Sequence, residues 1–167
     1  SNIESHVISL DEIFKTFNLT MKNFNNNLAY ANSRSRLRMI TLYQIAQFNK
    51  GLVVGTGNKV EDFGVGFYTK YGDGGVDILP IADCTKTQVW ELGKELGILE
   101  DIIEARPTDG LWDDIRNDEE QMGLTYEQIE DAMKNSGSKY YNKYLSLRES
   151  NIHKMKPIPV CKFKQNE

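Results

Sequence analysis

The stretch Gly51-Leu52-Val53-Val54-Gly55-Thr56 constrains the fold more than any other part of these 167 residues. It is an apolar run of strand length bounded by glycine, and its residue types lack the in-and-out alternation of a strand with one wet face. Such a strand belongs in a parallel sheet covered by helices on both faces. The preceding sequence fits that architecture. His6 to Leu10 is short and apolar enough for a second strand, and "DEIFKTF" then changes to helical spacing through Ile13, Phe14 and Phe17. An asparagine-rich stretch, "KNFNNN", reads as a loop. From about Ala29 to Phe48, residues Met39, Leu42, Tyr43 and Ala46 fall at i, i+3, i+4 and i+7, one apolar stripe on a long helix.

Downstream, Thr85 and Gln88 form a T-x-x-Q capping box, after which Val89, Leu92, Gly93 and Leu96 continue as a helix that stops at Gly97. Thr125 and Gln128 repeat the start signal for a helix ending near Gly137. Between them "EARPTDGLWDDIRNDEEQMG" keeps no period, and a loop of that length in a compact domain is more often functional or mobile than idle. Strands alternating with helices predict an α/β fold in one domain over residues 1–167. The two or three strands that can be counted fall short of the roughly five or six of an average sheet.

A hydrophobic share of 40% and a charged share of 26% are those of an ordinary globular chain. A net charge of −4 argues against a duplex-binding surface and leaves room for a small anionic ligand held by a local cluster of Lys and Arg. Cys84 and Cys161 lie far apart with no CxxC spacing, which predicts a reducing compartment and two buried or idle thiols. No apolar run approaches the roughly 20 residues of a membrane span, and no charged-then-apolar leader opens the chain, so a cytoplasmic protein is expected. The opening "SNIESHVISL" lacks a methionine and reaches a strand-like stretch at once, so the start reads as cut rather than native.

Residues 55–75, "GTGNKVEDFGVGFYTKYGDGG", hold seven of the thirteen glycines. Two familiar phosphate motifs are excluded there: G-x-G-x-x-G needs a glycine where Val60 stands, and no G-x-x-x-x-G-K-[ST] occurs. What remains is a strand ending at "GTGN". Ligands of open α/β sheets bind beyond the carboxyl ends of the strands, where Thr56 and its followers lie. The alternative is an ordinary strand-to-helix turn in which Glu61 and Asp62 complement a helix N-terminus. Lys86, just after a capping threonine, occupies the positive end of a helix, at a cost of about 0.3–1 kcal/mol unless an anion is bound. It is either the partner of a bound phosphate or a solvated lysine. In "DGGVD", Asp73 and Gly74 can be the centre of a tight hairpin turn, but Lys70 before it and Asp77 after it carry charges that a turn alone leaves unexplained. On one helical stretch Arg36 points away from Arg34 and Arg38, so either Arg36 or the pair can face a site.

In order, "SRLRM", "LVVGTGNKVED", "FYTKYGDGGVDILPI", "TKTQV", "RPTDGLW" and "DEEQMGLTYEQIEDAM" resemble the C-terminal two thirds of the NAD synthetase family, most strongly over residues 34–135; "IHKMKP" near the end also fits. The resemblance implies an ATP-pyrophosphatase-type α/β fold, a parallel sheet flanked by helices of the adenine nucleotide alpha hydrolase kind. It also implies an adenylating amide synthetase of NAD biosynthesis. In such enzymes the carboxylate of deamido-NAD (nicotinic acid adenine dinucleotide) is activated by ATP to an acyl-adenylate, with pyrophosphate released. Ammonia then displaces AMP to give NAD. Carried over by position, Thr56, Lys86 and Thr108 resemble ATP contacts, Thr108 on a loop that closes over the site, and Glu61 resembles a ligand of Mg2+. Arg36, Lys70, Asp77, His153 and Lys154 match residues that hold deamido-NAD, so the resemblance selects Arg36 from the three arginines. No residue receives a catalytic role. A homodimer is implied, with the tail "HKMKPIPVCKFK" available to its surface.

Two departures stand out. One residue more than in several relatives separates Glu61 from Lys70. The family's S-G-G-x-D-S pyrophosphate loop does not occur here, the only adjacent glycines being Gly74 and Gly75, and the aspartate that shares the magnesium is missing with it. The chain therefore reads as an NAD synthetase domain truncated at its N-terminus, beginning around the third strand and unable to complete adenylation alone. Two other readings are an inactive binding or assembly fragment, and another ATP-pyrophosphatase-type ligase such as a GMP or argininosuccinate synthetase. The latter shares the chemistry but not "TKYGDGG".

Overall fold

Helix α1 (Asp11–Thr20) leads through a 3-10 turn (Lys22–Phe24) into the long helix α2 (Asn27–Phe48) in the computed structural model, which describes residues 3–114 and 116–163. Ser1 and Asn2 of the opening segment, Ile115 of the central loop and Lys164 of the tail lie outside the described residues. Asn26 caps α2, its side chain accepting from Ala29 N at 2.9 Å. A seven-residue π-helix follows (Lys59–Val65), then α3 (Lys86–Glu95), α4 (Glu100–Ile103), α5 (Asp118–Met122), α6 (Tyr126–Lys134) and α7 (Tyr141–Met155).

Both predicted capping boxes form, Thr85 with Gln88 and Thr125 with Gln128. A third lies inside the segment expected to be loop, where Asn117 and Glu120 open α5. The helix expected to reach Gly137 ends earlier, at Lys134.

Of the expected sheet, the described residues form only a fragment. Among the described residues, β-pairing is a single parallel bridge, Val54 to Ile78. In it Asp77 N donates to Val53 O at 2.9 Å and Gly55 N to Ile78 O at 2.8 Å. Its direction is the predicted one, but it gives the run a neighbour on one side only. Val53 is 5% exposed while Leu52 and Val54 are 65% and 55% exposed, so burial alternates although the residue types do not. A strand buried on both faces needs a neighbour at each edge and a helix over each face. His6–Leu10 forms no strand and makes no β-pairing among the described residues; residues 6–9 are exposed, Val7 almost fully, and Leu10 partly.

The core lies elsewhere, where the π-helix meets α6 and α7. Val60, Val65, Met122, Leu124, Tyr126, Ile129, Ala132 and Tyr144 are buried together, with Trp90, Phe67 and Leu147 packed against them. On α6 the positions Tyr126, Ile129, Ala132 and Met133 make one face, and a side chain such as Ile129, fully buried, contributes about 1.5–3 kcal/mol. The last residues of the π-helix and those just after it have no ladder partner among the described residues, and α7 supplies one from side chains. Arg148 donates to the carbonyls of Phe63 and Gly64, Asn151 Nδ2 to Val65 O at 3.1 Å, and Lys154 Nζ to Gly66 O at 2.9 Å and Tyr68 O at 2.7 Å. These three residues recur every third position along α7, so one helix face holds the backbone of residues 63–68.

Candidate functional site

A cavity of about 750 Å³ opens between α2, the carboxyl end of the bridged stretch at Val54–Thr56, residues 65–76, the loop at 109–112 and the end of α7. Its floor depends on the turn in "TKYGDGG". Gly72 N and Gly74 N both donate to Thr69 O, and Asp73 Oδ1 accepts from Thr69 N at 3.0 Å. The turn is then locked onto α2: Ser35 Oγ donates to Asp73 Oδ1 at 2.7 Å and accepts from Asp73 N at 2.9 Å. A Cβ on Gly72 would lie 2.1 Å from Ser35 Oγ, so only glycine lets the turn come this close. The turn is not the hairpin centre that "DGG" also allowed, because no strands flank it.

Five of the nine residues singled out by sequence line this cavity: Arg36, Thr56, Lys70, His153 and Lys154. Arg36 reaches Lys70 O through Nε and Nη2, both at 3.3 Å, and Lys70 Nζ donates to His153 O at 3.1 Å. Burial pushes the Lys154 ammonium below its ordinary value, with the charge of Asp73 opposing the shift. The three arginines divide as their helical spacing allowed. Arg36 faces the cavity, while Arg34 and Arg38 grip the 109–113 loop, Arg34 through Leu111 O and Asp113 and Arg38, which also lines the cavity, through Asp109 O and Gly110 O. Thr108 stands on that loop outside the cavity lining, its Oγ1 accepting from Gly110 N at 3.3 Å. Asp77 also stands outside. Its Oδ2 accepts from Val53 N at 2.7 Å and its Oδ1 from the Tyr43 hydroxyl at 3.2 Å, so here it closes the backbone next to the parallel bridge.

Glu61 and Lys86 form a second cluster. Asn58 caps the π-helix, its side chain accepting from Val60 N and Glu61 N, and the first turn then presents Glu61 and Asp62. Lys86 Nζ pairs with Glu61 Oε1 at 2.9 Å, both side chains being about one-sixth exposed. The same Oε1 accepts from the hydroxyl of fully buried Tyr126 at 2.7 Å. Asp118, 7% exposed, lies on the other side of that hydroxyl at 3.3 Å, and its Oδ1 meets no partner. Burial first, then the charges of Glu61 and Asp109, raise the Asp118 carboxyl to about 6. Burial, then Glu61 and Asp73, raise Asp62 to about 7. A Cβ on Gly57 would fall 1.9 Å from Asp62 Oδ2, so the glycine turn closes over this carboxyl.

The awkward position of Lys86 at a helix start is relieved by the protein itself. Glu61 pairs the ammonium, and buried Glu130 accepts from Thr87 N at 3.0 Å and Thr87 Oγ1 at 2.7 Å. Two carboxylates thus stand where an anion is favoured. Sequence reading missed Glu130 and Tyr126. The available signal was a tyrosine and a glutamate on the inner face of an amphipathic helix, where a buried polar tip must find a partner.

Magnesium keeps several waters and takes one or two carboxylates alongside substrate phosphates. Glu61, with both protein bonds on Oε1, fits that donor set as a single ligand. Among the described residues no group of three or more His, Cys, Asp or Glu is arranged to hold a metal ion unaided.

Over residues 1–165 the sequence matches the model of the NAD synthase family. The chain belongs to that family. It is 45% identical over 133 residues to the NH(3)-dependent NAD(+) synthetase of Carboxydothermus hydrogenoformans, covering 77% of this chain and 54% of that protein. It is 35% identical to the enzyme of the same name from Archaeoglobus fulgidus, covering 97% of this chain and 67% of that one. The chain spans about half the length of several curated NAD synthetases that it matches. Among solved structures, NMN synthetase from Francisella tularensis superposes with a TM-score of 0.89 at 35% identity, over 97% of this chain and 68% of that one. NH3-dependent NAD synthetase from Campylobacter jejuni, solved with a nitrate ion, gives 0.73 at 24% identity over 96% and 67%, a likeness of fold alone. Among the described residues no helix is long and apolar enough to cross a membrane.

Proposed function

We propose that the protein of which these residues are part is a cytoplasmic, homodimeric NAD synthetase that amidates deamido-NAD with ammonia at the expense of ATP, giving NAD, AMP and pyrophosphate. The observation that carries the reading is the gathering of Arg36, Lys70, His153 and Lys154 around one cavity, with Thr56 at its edge, in a chain of the NAD synthase family. A carboxylate does not expel oxide, so amidation requires its conversion to an activated acyl group, in this reading the mixed anhydride with AMP. The protein's task is then to hold two anions together and screen their repulsion.

In this reading Arg36, Lys70 and Lys154 attract the dinucleotide phosphates, while Thr56 and Thr108 orient ATP. Asp77 and His153 complete the dinucleotide subsite. Lys86 leaves Glu61 for the ATP phosphates, a short swing for a flexible ammonium. Glu61 would hold magnesium, which would supply neutralising charge to the phosphates. Since S-G-G-x-D-S does not occur in these residues, the stretch by itself binds substrates without completing adenylation. The parallel sheet of the ATP-pyrophosphatase fold is part of the same proposal.

The test is an assay of the full-length protein with magnesium, ATP, ammonium and deamido-NAD. Equal amounts of NAD, AMP and pyrophosphate are expected, with KM for deamido-NAD raised in Arg36→Ala and Lys70→Ala; ADP and phosphate as products would refute the adenylation. A second reading draws on the 0.89 TM-score with an NMN synthetase. By the same chemistry, the substrate would then be the mononucleotide acid. Competition between the two acids in one reaction decides, because the higher kcat/KM consumes its substrate first.

A further inference from the structure

We infer that Tyr126 is a positioning residue for Glu61 and Lys86, fixing which carboxylate oxygen of Glu61 the protein holds and which it turns toward a cation. The inference rests on the proposed function, which gives Glu61 and Lys86 their roles.

Tyr126 is fully buried, so its hydroxyl must find a partner inside the protein. Its one proton goes to the nearer acceptor, Glu61 Oε1 at 2.7 Å, rather than to Asp118 Oδ2 at 3.3 Å. Lys86 Nζ approaches the same Oε1 at 2.9 Å and lies 4.8 Å from the centre of the Tyr126 ring. The tyrosine therefore touches both members of the pair, the acid through its hydroxyl and the ammonium through its face. When Lys86 swings onto a phosphate, the hydroxyl bond remains and keeps the carboxylate from rotating. Oε1 stays committed to the protein, and Oε2 stays available. The ring is itself fixed, packed edge-on against Trp90 with centroids 5.9 Å apart and set at the first turn of α6 by the Thr125 cap. This is the logic by which outer hydrogen bonds orient a metal ligand, and loss of one typically lowers metal affinity by about 10- to 100-fold.

The experiment measures Mn2+ binding to the full-length protein in the presence of ATP, by water-proton relaxation, in the unaltered protein, Tyr126→Phe, Glu61→Gln and the double variant. Phenylalanine keeps the ring and its packing, and the thermal midpoint of each variant checks the fold. Tyr126→Phe is expected to raise half-saturating Mn2+ about 10-fold, and to add no further shift once Glu61 is glutamine. A hydroxyl that served only the core would lower the midpoint and leave Mn2+ binding where it was. Unmoved half-saturation in Tyr126→Phe, or an equal shift in the Glu61→Gln background, overturns the inference while leaving the proposed function intact. If the unaltered protein binds no Mn2+ with ATP, the functional reading falls and takes this inference with it.

Discussion

The contact between Gly72 and Ser35 allows a quantitative prediction. Ser35, 3% exposed, gives one hydrogen bond to the Asp73 carboxylate and takes one from Asp73 N. Ser35→Ala removes both and leaves an amide unpaired, a loss of about 2 kcal/mol. Gly72→Ala puts a Cβ 2.1 Å from Ser35 Oγ and 2.8 Å from Thr69 Cγ2, so the serine is displaced and the same bonds are lost. Adding about 1 kcal/mol for the crowding against Thr69 gives about 3 kcal/mol. Because the two substitutions break the same bonds, the double variant is expected to cost about 3 kcal/mol rather than 5. Urea denaturation of the four proteins, followed by tryptophan fluorescence, measures this coupling of about 2 kcal/mol. Losses that add to within about 0.5 kcal/mol would refute the idea that the glycine exists to admit the serine.

Four shorter predictions follow from the same geometry. Arg38→Ala, which frees the carbonyls of Asp109 and Gly110, is expected to speed proteolysis within residues 104–114; an unchanged cleavage rate there would mean Arg34 alone holds the loop. Glu130→Ala removes both acceptors of Thr87 and is expected to cost about 2 kcal/mol and to strip hydrogen-exchange protection from the first turn of α3. Asp62 holds its proton up to about 7 in the folded state against 3.8 unfolded, so in metal-free buffer its contribution to stability falls as pH rises through that window. Asp62→Asn is therefore expected to gain on the unaltered protein in urea titrations between about pH 4 and about pH 7, the two ends of the window; a gap independent of pH would contradict it. If the cavity takes a dinucleotide, its KM is expected to rise with salt, and less steeply in Lys70→Met.

What the sequence revealed and what it hid follow one division. Helices announced by local chemistry were legible, because Thr85 with Gln88 and Thr125 with Gln128 satisfy their own amides without tertiary help. Asn117 with Glu120 carried the same signal, masked by the aperiodic residues before it. Helix α7 was hidden for the opposite reason: Arg148, Asn151 and Lys154, on its inner face, dock on carbonyls that only the fold brings near. The π-helix has no 3.6-residue period to read. Strand pairing is the least local of all, and the run at 52–54 reported a capacity for burial that these residues alone do not fill. In the site, the sequence offered Lys86 a bound phosphate or solvent, while the carboxylate that meets it in the structure, Glu61, lies 25 residues away.

The manner in which the cavity holds its cations bears most directly on what it can bind. Arg36, Arg38, Lys70 and Lys154 line it, and each rests on backbone carbonyls: Lys70 O, Asp109 O and Gly110 O, His153 O, and Gly66 O and Tyr68 O. A carbonyl fixes a cation's direction while leaving its charge uncompensated, whereas a carboxylate removes both freedom and charge. The two acids of the lining are occupied otherwise, Asp73 by Ser35 and the Thr69 amide, and Asp109 by the Leu111 amide, Trp112 and Gln121. Four cations against two carboxylates leave a positive concavity on a chain whose net charge is −4. At the neighbouring cluster the opposite holds, since Lys86 and Glu61 neutralise each other until something separates them. An anion that fills the cavity meets cations already oriented and unpaid by counter-charge, while one that reaches Lys86 must also leave Glu61 a new cation. That asymmetry is what a site needs if one anionic substrate binds by itself and the other arrives only with its metal.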